Sequence, residues 1–210
     1  MPQLKVCGIN DAAFAVEAAR RGVDYLGLIF ADGSPRRVTP ALARDITASV
    51  GRLSAQQTAA PHPRFVGVFV KHPIDQIATI ASHVGIGVIQ LHGDYGADEI
   101  AALKAMGYEV WRLIDNDAEC LRCADAVLID GRDGTRCGGT GRRADWSTVP
   151  ALKQRGHRVV LAGGISAANI AAAAATGADI IDVNSSIESS PGVKSLSMLD
   201  ALLTAFTTTQ

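Results

Sequence analysis

The chain is expected to be an α/β protein, one domain in which eight parallel strands close into a (β/α)8 barrel. Three observations lead there. A phrase of glycine, two residues and an apolar run recurs: GVDYLGLIF from Gly22, GIGVIQLHG from Gly85, GYEVWRLID from Gly107, GHRVVLAGG from Gly156 and GADIIDVNS from Gly177. Each run is rich in Val, Ile and Leu on both faces, as in a strand buried in a parallel sheet. The glycine follows an amphipathic stretch, where it stops a helix by adopting the left-handed conformation without strain.

With the less regular runs included, strands fall at residues 3–7, 25–30, 65–70, 87–91, 109–114, 126–130, 158–162 and 180–183. Helical patterns lie between them. DAAFAVEAARR begins with Asp11 near an N-cap position and keeps Phe14, Ala18 and Arg21 at helical spacing. TPALARDITASV offers Thr39 as cap and Pro40 at the first helical position. HPIDQIATIASHV carries Ile74, Ile77, Ile80 and Ala81 on one face. SAANIAAAAAT is alanine-rich and reads as a helix capped by Ser166 and packed closely on the sheet. The polar stretch 51–64 reads as a surface loop before the third strand, and TAFTTTQ (204–210) as an eighth helix fraying into solvent. Strand–helix alternation implies a parallel sheet. The strand count favours the TIM-barrel architecture over a doubly wound open sheet, although 210 residues is short for it.

Bulk properties exclude several classes. With 48% apolar and 20% charged residues, the composition is that of a soluble globular protein. A net charge of −1 gives no global attraction to nucleic acid or anionic lipid, so neither is an expected partner. No apolar run approaches the roughly 20 residues of a membrane span, and MPQLKV lacks the character of a signal peptide. Four sparse cysteines, Cys7, Cys120, Cys123 and Cys137, fit a reducing cytoplasm. The isolated Cys120-x-x-Cys123 pair lacks the second pair of a zinc site, and His62, His72, His83 and His157 have no ligand-like spacing.

Function in such a barrel collects at the carboxyl ends of the strands. There the sequence places Cys7 and Gly8, then FADGSPRRV, Gln90 and His92, Asp115, Asp130, Gly163 and Gly164, and finally DVNSS. Glycines at GGTG (138–141) and at 163–164, with the serines that follow strand 8, let backbone N–H groups approach an anion. GGTG alone fits a packing turn as well as a phosphate loop; the three loops together favour phosphate. Cys7 and Asp130 pair a thiol with a carboxyl group at one end of one barrel. A shielded carboxyl can act as an acid, and a thiol near positive charge as a base. Each alone also has an ordinary reading, Cys7 in the core and Asp130 in a salt bridge or cap, and Asp115 is a rival carboxylate.

KVCGIN, GLIFADGSPRRV, VGVFV, IQLHG, GGTGRRADW, LAGGISAANI and DVNSSIESSPGVK, in that order from Lys5 to Lys194, resemble the successive motifs of the phosphoribosylanthranilate isomerase family of tryptophan biosynthesis. The resemblance implies an Amadori rearrangement of a phosphosugar–anthranilate substrate without metal or organic cofactor, in a monomer or homodimer. It implies Cys7 as general base, Asp130 as general acid and Arg36 as the contact to the anthranilate carboxylate. Arg37 could share that contact. It also implies phosphate held at Gly139, Thr140, Gly141, Gly163, Gly164, Ser185 and Ser186, with His92 and Asp182 as further substrate-side residues.

The chain departs from the family at Asn184 and Ser186, where serine and glycine are usual, and at Arg142, Ala144 and Ser195. Ser186 fits only if its backbone is not left-handed. Two other readings are a different phosphosugar isomerase or epimerase and a non-catalytic phosphate-binding barrel. Cys7 argues against the first, because the related histidine-pathway isomerase is expected to use two aspartates and an epimerase needs metal ligands. The intact Cys7–Asp130 pair argues against the second.

Overall fold

The structure is a computed structural model that describes residues 1–54, 62–114, 123–130 and 145–207. Eight parallel strands close on themselves in sequence order: β1 (Gln3–Val6), β2 (Tyr25–Ile29), β3 (Arg64–Val70), β4 (Val88–His92), β5 (Glu109–Leu113), β6 (Ala126–Ile129), β7 (Val159–Leu161) and β8 (Ile180–Val183). β1 closes the ring against β8 with Lys5 opposite Asp182 and Val6 opposite Val183. The expected barrel and all eight strands are present, with no end shifted by more than one residue. Cys7 falls just past β1, yet its N–H still donates to the Val183 carbonyl at 2.8 Å, so the ladder carries it.

Helices α1 (Ala12–Arg20), α2 (Pro40–Ser54), α3 (Ile74–Val84), α4 (Ala97–Ala105), α5 (Val149–Gln154), α6 (Ile170–Ala174) and α7 (Leu196–Thr207) surround the sheet among the described residues. The five repeat glycines at 22, 85, 107, 156 and 177 have φ from 79° to 91°, the helix-stopping conformation expected of them. Asp11 caps α1 by accepting from the Phe14 N–H at 2.6 Å, and Thr39 accepts from the Leu42 N–H at 3.2 Å ahead of Pro40.

Two expectations are corrected. α2 continues to Ser54, so only part of 51–64 lies outside regular structure; residues 55–61 are outside the described set. Ser166 does not cap a helix. The Asn169 side chain accepts from the Ser166 N–H at 2.8 Å and donates to the Gly164 carbonyl at 2.9 Å. That local bonding turns the chain through 166–169 and delays α6 to Ile170.

The core has two layers. Outward-facing strand residues such as Leu4, Leu26, Ile89 and Val127 pack on the helices. Inward-facing Tyr25, Val66, Val88, Trp111, Leu128, Val160 and Ile180 fill the barrel. Tyr25 and Trp111 meet edge to face, with ring centroids 5.1 Å apart. Below them, at the amino ends of the strands, Glu109 accepts from Arg64 (2.5 Å), Arg158 (2.7 Å) and the Trp111 indole (2.6 Å), while Arg158 also donates to Tyr25 and Gln3. Among the described residues the barrel is therefore plugged at this end, and its cavity opens at the other.

The cap on α1 is a single hydrogen bond with a known scale. Asp11→Ala should lower unfolding stability by about 0.5–2 kcal/mol, read as a shift of the urea midpoint without a change in slope.

Candidate active site

A cavity of about 710 Å³ opens at the carboxyl ends of the strands. Its wall takes Cys7 from just after β1, Arg36 from the loop after β2, Gln90 and His92 from β4, Asp130 from just after β6, Gly163 and Gly164 from the loop after β7, Asp182 from β8 and Ser185 from just after it. Strand ends far apart in sequence thus converge on one opening, as the barrel requires.

Cys7 lies at the floor of this cavity in a small apolar layer with Ile29 and Val68, and is 5% exposed. Two glycines make its position possible. A Cβ on Gly27 of β2 would stand 2.8 Å from the Cys7 sulfur and 3.0 Å from its Cα. Gly8 has φ of 73°, and a Cβ there would meet Arg36 Cδ at 2.7 Å and Asn184 Oδ1 at 2.9 Å. Glycine follows the cysteine so that two polar side chains can close in over it.

Beneath Cys7, fully buried Lys5 donates to Asp182 at 2.5 Å. Lys5 and Cys7 stand two apart along β1 and its extension, so both face the barrel axis. Burial pushes the Cys7 thiol up, against the pull of the Lys5 charge; Asp182 pushes it further up and Lys194 draws it down, for a net rise. Desolvation outweighs the cations. Burial likewise raises Asp182, with Lys5 opposing, while Lys5 itself stays protonated because Asp182 and Cys7 overcome its own desolvation. Asp182 Oδ1 and Gln90 Oε1 are buried without a hydrogen-bond partner, and both residues line the cavity. Such acceptors call for donors from a ligand. Gln90 Nε2 and His92 Nε2 lie 2.6 Å apart, which fixes the pair on β4.

Arg36 and Arg37 separate clearly. Arg36 faces the cavity and is held by Glu188 through Nε (2.8 Å) and Nη2 (2.7 Å). Arg37 turns out to Asp32 at 3.3 Å, is half-exposed and is not in the cavity wall. Glu188 starts a two-stranded hairpin, β9 (Glu188–Ser190) and β10 (Val193–Lys194), which follows β8. Lys194 donates to Glu188 (2.8 Å) and to the Asn184 backbone and side-chain oxygens (2.9 and 2.8 Å).

Among non-glycine described residues only Lys71 has positive φ, so Ser186 sits in an ordinary backbone conformation. Ser185 reaches the cavity wall; Ser186 is not part of it, and its hydroxyl is buried without a partner. Gly139, Thr140 and Gly141, with Asp115, Cys120, Cys137, Arg142 and Ala144, lie outside the described residues. Cys123 is half-buried against the core.

A family model described as N-(5'phosphoribosyl)anthranilate (PRA) isomerase matches residues 4–205. The chain belongs to that family.

An N-(5'-phosphoribosyl)anthranilate isomerase of Zymomonas mobilis is 34% identical over 215 residues, covering 96% of each chain. The tryptophan biosynthesis protein TrpCF of Vibrio cholerae is 37% identical over 202 residues, 93% of this chain; the chain spans about two fifths (40%) of that longer relative. Phosphoribosyl anthranilate isomerase from Thermus thermophilus superposes with a TM-score of 0.85 at 30% identity, covering 99% of this chain and 100% of that one.

Against the family motifs, sequence reasoning missed Lys5, Gly27, Glu188 and Lys194. Lys5 stands inside KVCGIN, and a lysine in an otherwise apolar barrel strand was the available signal. Glu188 lies 152 positions from Arg36, and nothing local in the sequence links them.

Burial works to raise Glu188, but hydrogen bonds from Arg36 and Lys194, with both their charges, hold it down at about 2 against an ordinary 4.5. Its depressed value stabilises the fold above pH 4.5, and that contribution fades as pH falls from 4.5 through about 2. Unfolding free energies of wild type and Glu188→Gln, measured by urea titration at a series of pH values, should therefore differ most above pH 4.5 and converge below it. A gap that stays constant to low pH would contradict the assignment.

Proposed function

We propose that this chain isomerises N-(5-phosphoribosyl)anthranilate to 1-(2-carboxyphenylamino)-1-deoxyribulose 5-phosphate by an Amadori rearrangement, as a cytoplasmic enzyme of tryptophan biosynthesis built on one barrel domain. The single observation that carries the reading is the convergence of Cys7 and Asp130 on one cavity that also holds Arg36, Gly163 and Gly164. Acid, base, carboxylate contact and anion loop share one opening.

Asp130 protonates the furanose ring oxygen, and the ring opens to an iminium. Cys7 as thiolate removes the C2 proton to give an enolamine, which tautomerises to the ketone. The substrate gains one proton and loses one, so substrate and product are isomers. The iminium is the electron sink, and no metal is needed. Lys5 below and Lys194 beside Cys7 both favour the thiolate, and the new iminium charge adds to them. Each proton-transfer group contributes roughly 10²–10⁴-fold.

The phosphate lies at Gly163, Gly164 and Ser185, joined by Gly139, Thr140, Gly141 and the backbone at Ser186. The substrate's hydroxyls and amine supply donors for the buried oxygens of Asp182 and Gln90, and His92 braces Gln90. The ligand is a small phosphosugar, with neither nucleic acid nor membrane as partner, and the enzyme works as a monomer or homodimer. No helix among the described residues is long and apolar enough to cross a membrane.

Cys7→Ser and Asp130→Asn should each lower turnover by roughly 10²–10⁴-fold, followed by loss of anthranilate-linked fluorescence in the presence of chelator, with the circular dichroism of wild type. Full turnover by the double variant would remove both from the mechanism.

A further inference from the structure

Arg36 has five N–H donors in a planar fork. Two of them, on Nε and Nη2, are committed to Glu188 at 2.8 and 2.7 Å. No described hydrogen bond uses Nη1. This side-on grip leaves the end of the guanidinium, Nη1 with the second N–H of Nη2, free to take a carboxylate in two parallel bonds. Glu188 does not line the cavity, and its side chain is 3% exposed.

A carboxylate clamping an arginine would normally cancel the charge that attracts an anion. Here Lys194, with its side chain 1% exposed, pairs with Glu188 at 2.8 Å. The cluster of Arg36, Glu188 and Lys194 therefore keeps one net positive charge, and only Arg36 of the three lines the cavity. Lys194 is itself anchored to both Asn184 oxygens. The hairpin that brings Glu188 and Lys194 together is docked on the Arg36 loop. Asn10 donates to the Gly192 carbonyl at 2.9 Å, and Gly192 packs so near the Pro35 carbonyl that a Cβ would stand 2.7 Å from it.

We infer that Glu188, balanced by Lys194, is a positioning residue that presents the open end of Arg36 to the ring carboxylate of the substrate and so selects a carboxylated aromatic amine. This rests on the proposed contact between Arg36 and that carboxylate. Wild type, Arg36→Ala, Glu188→Gln and the double variant should be compared by steady-state kinetics. Their Ki values should also be measured for the reduced product and for its anilino counterpart lacking the carboxylate.

Glu188→Gln should raise KM and the reduced-product Ki about tenfold, leave kcat within about threefold, and cost less than about twofold when Arg36 is already alanine. The anilino compound should bind Glu188→Gln as it binds wild type, which general loosening of the site would not produce. If Arg36→Ala raises KM but Glu188→Gln does not, or if their costs add, the positioning role is overturned while the Arg36 contact stands. If Arg36→Ala leaves KM unchanged, the contact falls and the inference with it. Should Glu188→Gln not fold by circular dichroism, Glu188→Asp keeps the charge with a shorter reach and carries the same comparison with a smaller rise in KM.

Discussion

Closure of β1 against β8 is the constraint on which the site depends. Their register sets Lys5 opposite Asp182, and one further ladder bond, from Cys7 to Val183, extends the pairing past the end of the strand. A parallel barrel has no free edge, so this junction cannot slip without breaking the ring. A slip of one residue would turn Lys5 and Cys7 outward toward the helices and bring apolar neighbours inward. The ladder therefore positions the thiol and its nearest cation together.

The charged groups gathered at this junction are costly ones. A buried ion pair loses hydration that its own attraction only partly restores, so the Lys5–Asp182 pair is poor support for the fold. What it supplies is fixed charge next to the Cys7 sulfur. The same holds at the rim, where Arg36, Glu188 and Lys194 neutralise one another in part and leave a surplus facing the cavity. Two such clusters therefore stand at the cavity end of the barrel, one at its floor and one at its rim. Apolar packing dominates between the ends, from Trp111 and Tyr25 inside to Ile46 and Leu199 outside.

Much of this was legible in the residue order. Helix stops at the repeat glycines, caps at Asp11 and Thr39, and strands of Val, Ile and Leu are local signals, set by the conformational range of single residues. The strand ends then follow, and with them Cys7, Asp130, Gly163 and Asp182 in one wall. What stayed hidden depends on distance through space. Arg36 is held in the cavity wall by Glu188, which stands on a hairpin after the last barrel strand, while Arg37 turns to Asp32. Gly27 reads as one more apolar strand position until Cys7 is seen pressed against it. The turn at 166–169 keeps Ala167 and Ala168 out of the helix because the Asn169 side chain bonds the backbone at Ser166 and Gly164. The direction of the Cys7 shift was hidden for a similar reason: sequence shows the charges near a thiol, and not the depth at which it lies.

The plug beneath the barrel has a wider meaning. Glu109, Arg64, Arg158, Trp111, Tyr25 and Gln3 tie four strands together at the end remote from the cavity. None of these six residues lines the opening. Substitutions in the rim loops can therefore accumulate without loosening the base, and the base can harden without disturbing what the rim does. Such a division of labour lets a lineage exchange substrates while keeping its scaffold.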